Sequence, residues 1–116
     1  MQCPLDYSLC RQTVTRYRFC GDRVDRQVLE RAYYNYQPTQ VTDEKGRRQK
    51  TLFLLIVPGQ ADIAPGDRLY DGVGPELTPA QWSRFLPVTV TGVSQVQYVR
   101  PYRWEDQVCH TEAGRK

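Results

Sequence analysis

Histidine is nearly absent from this sequence: His110 is the only one in 116 residues. A lone histidine makes HExxH and HxxxH metal motifs impossible. Neither GxSxG nor a GxxxxGK[ST] phosphate loop occurs, so two common hydrolase and nucleotide signatures are missing as well. Cys109 and His110 are sequence neighbours, and on a strand neighbours face opposite ways, which argues against a Cys–His dyad. Long apolar runs are also lacking. The longest, Leu52–Val57, has six residues, against the ~20 needed to span a bilayer. The opening MQCPLDYSLC has no basic segment followed by an apolar one. The expectation is a soluble chain that stays where it is made, with no membrane partner, no catalysis, no cofactor and no metal.

Lysine is scarce too, with three against thirteen arginines, a balance that favours fixed polar contacts over simple solvation. The net charge is +3 with a pI near 8.7, mildly basic and well short of a polycationic arm. The four cysteines, Cys3, Cys10, Cys20 and Cys109, contain no CxxC pair. Zinc sites normally carry at least one tight pair, although His110 beside Cys109 would complete a ligand set with Cys3 and Cys10. With Cys20 and Cys109 read as small apolar strand residues and Cys3 and Cys10 in an irregular lead-in, reduced thiols are expected.

At 116 residues, 40% hydrophobic and 25% charged, the chain reads as one domain. Residues 1–11 form an irregular lead-in, 12–113 a β-rich core, and 114–116 a frayed tail. TVTRYRFC (13–20) suits a half-exposed strand. DRQVLERAYYNYQ fits a helical stripe and a tyrosine-rich strand equally well. Residues 38–50 are polar and charged around Gly46 and predict a long polar loop or an extended hairpin. TLFLLIV, ending at Pro58-Gly59, reads as a strand buried on both faces. Ala64-Pro65-Gly66-Asp67 is a turn, and Arg68–Gly72 a short strand. At Leu77-Thr78-Pro79-Ala80-Gln81-Trp82, a capping box with proline at the first helical position predicts a short helix over about 78–85. PVTVTGVSQVQYV and Val108–Glu112 supply further strands around a polar turn, Glu105-Asp106-Gln107. Five or six strands with one short helix give a mainly β fold, a small antiparallel β-barrel or sandwich.

Two stretches interleave cations with rings: Arg16-Tyr17-Arg18-Phe19, and Tyr98, Arg100, Tyr102, Arg103 and Trp104. Such stretches bind single-stranded nucleic acid by stacking. Tyr- and Arg-rich surfaces are equally what protein interfaces select.

Taken in order, RQVLERAYYNYQ, LFLLIVP, IAPGDRLYDG, VTVTGVSQV and VCHTEAGR resemble the small minor capsid or head–tail connector proteins of tailed bacteriophages and prophages, of the head-closure (stopper) type. The resemblance covers roughly residues 12–115; the CPLDYSLC lead-in and the LTPAQWSRFLP helix depart from it. It implies a virion structural protein, made in the bacterial host cytoplasm. Such a protein assembles as a ring between portal and tail proteins and is a monomer in isolation. It also implies that Arg26–Tyr36 is a strand and that His110 is structural. The 38–50 segment, with Asp43, Glu44, Lys45, Arg47, Arg48 and Lys50, would line the channel or touch a neighbour, within reach of packaged DNA. Tyr98, Arg100, Tyr102, Arg103 and Trp104 would form an aromatic and arginine interface. The alternative is a small basic β-barrel adaptor that binds nucleic acid.

Overall fold

A computed structural model describes residues 7–43, 46–86, 90 and 92–115, with the backbone path alone between 36 and 52. The described residues form seven strands and one short helix: β1 (Gln12–Phe19), β2 (Val24–Asp43), β3 (Gly46–Pro58), β4 (Arg68–Asp71), α1 (Pro79–Trp82), β5 (Val93–Gln95), β6 (Tyr98–Trp104) and β7 (Gln107–Gly114). They make one antiparallel sheet in the order β5-β4-β1-β2-β3-β7-β6. The mainly β expectation holds, with seven strands in place of five or six.

The sheet is rolled but not closed. β5 and β6 are its two outer strands, yet only Val96 and Gln97 separate them in sequence. Three Cα steps reach at most roughly 11 Å, so the two edges must come close together. The bridge is fastened on both sides. Val96 N–H donates to Asp67 O (2.8 Å), Gly66 N–H to Val96 O (2.8 Å), and Gln97 N–H to Gly114 O (2.9 Å). Inside the roll lie Val14, Leu29, Tyr34, Phe53, Leu55, Val57, Leu69, Val96 and Ala113. Each larger apolar side chain buried there contributes about 1.5–3 kcal/mol. A smaller cluster of Tyr17, Phe85 and Val93 lies beneath α1, with Leu77, Tyr70 and Trp82 packed against it.

β2 resolves the helix-or-strand ambiguity. It pairs with β1 as far as Ala32 and with β3 from Tyr33 onward, so one continuous strand serves both halves of the sheet. This handover blurs the period-2 pattern, since the strand turns its faces as it passes from one neighbour to the next. Backbone pairing overrides the helical stripe.

Three expectations are corrected. The 38–50 segment is not a loop. β2 and β3 stay paired from Pro38↔Thr51 to Asp43↔Gly46, which is the extended-hairpin option. The helix covers only Pro79–Trp82; Thr78 N–H donates to Gln81 Oε1 (2.9 Å), the reach-back half of the capping box. The lead-in, irregular in its described part, is nevertheless anchored: Cys10 is buried, and Tyr7 Oη and His110 Nδ1 share a 2.6 Å hydrogen bond. Gly114 does not fray but pairs with Leu54 and Tyr98, and a Cβ there would press on the Tyr98 ring. Residues 1–6 and Lys116 lie outside the described residues.

Cys109 also departs from expectation. It is disulfide-bonded rather than a reduced thiol, while Cys10 and Cys20 are free. Cys20 is exposed and lies just past β1, not within a strand.

Candidate interaction site

The predicted aromatic and arginine residues all fall on β6, the outermost strand on one side of the sheet. Alternation along the strand puts Tyr98, Arg100 and Tyr102 on one face. The Arg100 guanidinium lies over the Tyr98 ring at 5.4 Å, and Tyr98 Oη donates to Glu112 Oε2 (3.4 Å). Tyr102 stacks flat on His110, its cross-strand partner, with ring centroids 5.0 Å apart and planes within 2°. His110 is thus held between Tyr102 and Tyr7, and burial keeps its pKa below the usual value. A shallow cleft of about 180 Å³ runs between Arg100, Pro101, Tyr102, His110 and Glu112. Pro101, which has no N–H, is tolerated because β6 is an edge strand. β6 ends in a two-residue hairpin turn, Glu105-Asp106, closed by the Trp104↔Gln107 pair. Both turn residues have positive φ, 47° and 68°, the conformation that Asn-Gly usually supplies.

The other cation–ring stretch is organised very differently. Arg16 and Tyr17 are buried. Arg18 forks onto Asp67, with Nε to Oδ1 and Nη2 to Oδ2 both at 2.9 Å, and reaches Asp62 as well. These carboxylates push the Arg18 pKa further upward. Asp67 Oδ2 also accepts the Ala64 N–H (2.9 Å), which locks the Pro65-Gly66 turn in place.

Beside that turn opens a second cleft, of about 360 Å³, bordered by Arg18, Phe19, Pro65, Arg68, Trp82 and Gln95 among others. Arg68 is its chemical centre. Nine-tenths buried, it makes no ion pair among the described residues. Its Nη1 donates to Trp82 O and to Phe85 O (3.2 Å), and its guanidinium lies 3.8 Å from the centre of the Trp82 ring. Its Nε is buried with no hydrogen-bond partner. Burial holds the Arg68 pKa below its ordinary value. Phe19, 44% exposed, stacks on Trp82 with planes within 16°, so the cation sits beside an aromatic shelf.

The residues predicted on the 38–50 segment fall on the hairpin and far from both clefts in sequence. Asp43 ends β2; Arg47, Arg48 and Lys50 lie in β3; Glu44 and Lys45 lie outside the described residues. Sequence reasoning did not single out Arg68, Trp82, Glu105 or Asp106 as site residues. The signal for the last two was present, since a two-residue connection between strands with neither Asn nor Gly is an uncommon choice. No protein-family model, curated protein or solved structure matches the chain.

Proposed function

We propose that this chain is a phage-derived structural protein of the head–tail junction, of the minor capsid or head-closure type, which acts by ring assembly between portal and tail-side neighbours. The observation that carries the reading is the outer half of the β2–β3 hairpin. β2 leaves β1 at Ala32 and β3 leaves β7 at Leu54, so among the described residues Tyr36–Asp43 and Gly46–Phe53 pair only with each other. Eight residues of strand extend roughly 25 Å. A two-stranded ribbon without a third strand is marginal in water, and a neighbouring subunit supplies the missing contact. The exposed rings Tyr102 and Trp104 on edge strand β6 add a second surface of the composition that protein interfaces select.

The nucleic-acid adaptor reading loses one of its two cation–ring stretches, because Arg16 is buried and Arg18 is held by two carboxylates. Quantitative mass spectrometry of purified particles tests the proposal. The chain is expected at a small fixed ratio to the portal protein. Its absence from intact particles that contain portal refutes the structural role. DNA retention that falls steeply with salt, and is abolished by alanine at Arg47, Arg48 and Lys50, then supports the adaptor.

A further inference from the structure

We infer that the β6–β7 turn of one copy, Trp104-Glu105-Asp106, inserts into the Arg68 cleft of the next copy and forms the head-to-tail contact of the ring; this rests on the ring-assembly reading above. Two features left partly unsatisfied inside one chain complement each other. The cleft holds a buried guanidinium that makes no ion pair among the described residues, since the lining carboxylate, Asp67, is held by Arg18, and its Nη1 is taken by main-chain carbonyls. Neither Nε nor Nη2 has a protein partner among the described residues. Nε is enclosed, so a carboxylate that enters the cleft meets the guanidinium at Nη2, in a charge-assisted hydrogen bond. The turn, for its part, presents two exposed carboxylates whose side chains have no partner among the described residues.

The turn is also built against its own local preference. Positive φ at both Glu105 and Asp106 is a conformation for glycine and asparagine, and side chains that resist it persist where they serve a function. Here the function is to place two negative charges at the tip of a rigid hairpin. Trp104 leads into that tip, 42% exposed and without a ring partner among the described residues, and Phe19 stacks on Trp82 at the cleft mouth. Acid meets Arg68 while ring meets ring.

A chain cannot fill its own cleft. Gln95 borders the cleft and β6 begins three residues later, but the strand then carries the turn away by on the order of 20 Å. The occupant must come from another molecule. A contact that joins two different patches is heterologous, and repetition closes it into a ring when the rotation permits.

The test uses two variants of the full chain, Glu105→Asn/Asp106→Gly and Arg68→Met. The first removes both carboxylates and relieves the turn, so it must melt higher than wild type; a loss of assembly then has no origin in misfolding. By sedimentation at rising concentration, wild type should associate progressively, in place of the isolated monomer that the resemblance implies, and each variant alone about tenfold or more weaker. Mixed, they should give a one-to-one dimer and nothing larger, because one retains the turn and the other the cleft. A wild type that remains monomeric to about 1 mM, variants that associate like wild type, or a mixture without dimer overturns the contact. Loss with Arg68→Met alone also overturns it and assigns the cleft to a different segment of this chain. Particle mass spectrometry separates the two levels. Normal incorporation of Glu105→Asn/Asp106→Gly refutes the contact and leaves the ring reading standing, whereas absence of wild type refutes the ring reading itself.

Discussion

Replacing Arg16 with methionine should stabilise this protein, although it deletes an ion pair. Arg16 is only 2% exposed, and one nitrogen does all its bonding: Nη2 reaches Asp25 Oδ2 at 2.8 Å and Gln27 Oε1 at 3.3 Å. Nε and Nη1 are buried without partners among the described residues. An unsatisfied buried donor costs about 1–3 kcal/mol. The pair returns little of that, since Asp25 is 46% exposed and half-exposed ion pairs contribute at most about 1 kcal/mol. Methionine fills a similar volume without polar atoms and leaves Asp25 to water. Exchanging a poorly satisfied buried cation for an apolar side chain is worth about 1–3 kcal/mol, or about 3–6 °C per kcal/mol at this chain length. Asp25→Asn should act the other way, losing about 1 kcal/mol after allowance for solvent screening, because the buried cation keeps only neutral partners. Arg16 holds the Asp25 carboxyl below its ordinary pKa. That stabilisation is present above the usual carboxylate range and is lost as pH falls through the depressed value. Arg16→Met should therefore flatten the acid limb of the stability curve. The assay is thermal and urea unfolding of the three proteins between pH 2 and 7. A lower melting temperature for Arg16→Met refutes the reasoning and means that Nε and Nη1 have partners in solution.

Three further outcomes are expected. The unfolded chain takes up a proton near pH 6.5, whereas burial holds His110 below that value in the fold. Stability is thus full above pH 6.5 and falls below it, a slope that His110→Gln should flatten in urea titrations at pH 7.5 and 5.5. Gly74→Ala puts its methyl group onto Tyr17 Oη, and Tyr17 is fully buried and bonded to Pro75 O. The substitution should cost about 1–3 kcal/mol, and adding Tyr17→Phe should recover part of it by double-mutant cycle. Reducing the Cys109 disulfide should lower stability by about 2–4 kcal/mol, read as a drop in melting temperature on adding dithiothreitol; an unchanged melting temperature refutes that contribution.

What the sequence reveals and what it conceals follow one physical division. LFLLIVP is legible because a strand covered on both sides needs apolar residues throughout, and Phe53, Leu55 and Val57 are indeed buried with Leu54 and Ile56 half-buried between them. The Pro65-Gly66 turn is legible because its conformation is dictated locally. The hairpin beyond residue 36 is obscure for the opposite reason. Its strands pair with each other alone among the described residues, and the polar, charged text around Gly46 resembles a loop. Tyr7 and His110 stand 103 positions apart, and nothing near either one announces the other. Arg68 is the most instructive case. In GDRLYDG it reads as an ordinary strand residue with its head in water, since long cations usually extend outward. Its burial depends on Trp82 and Phe85, which come back over it fourteen and seventeen residues later. The chain therefore carries the desolvation of a positive charge that no carboxylate among the described residues pairs with. On the far hairpin it accepts two positive-φ residues that a glycine would relieve. A fold selected for stability alone would remove both features with single substitutions. Their presence together is best explained by a contact that needs the cation in one subunit and the carboxylates in another.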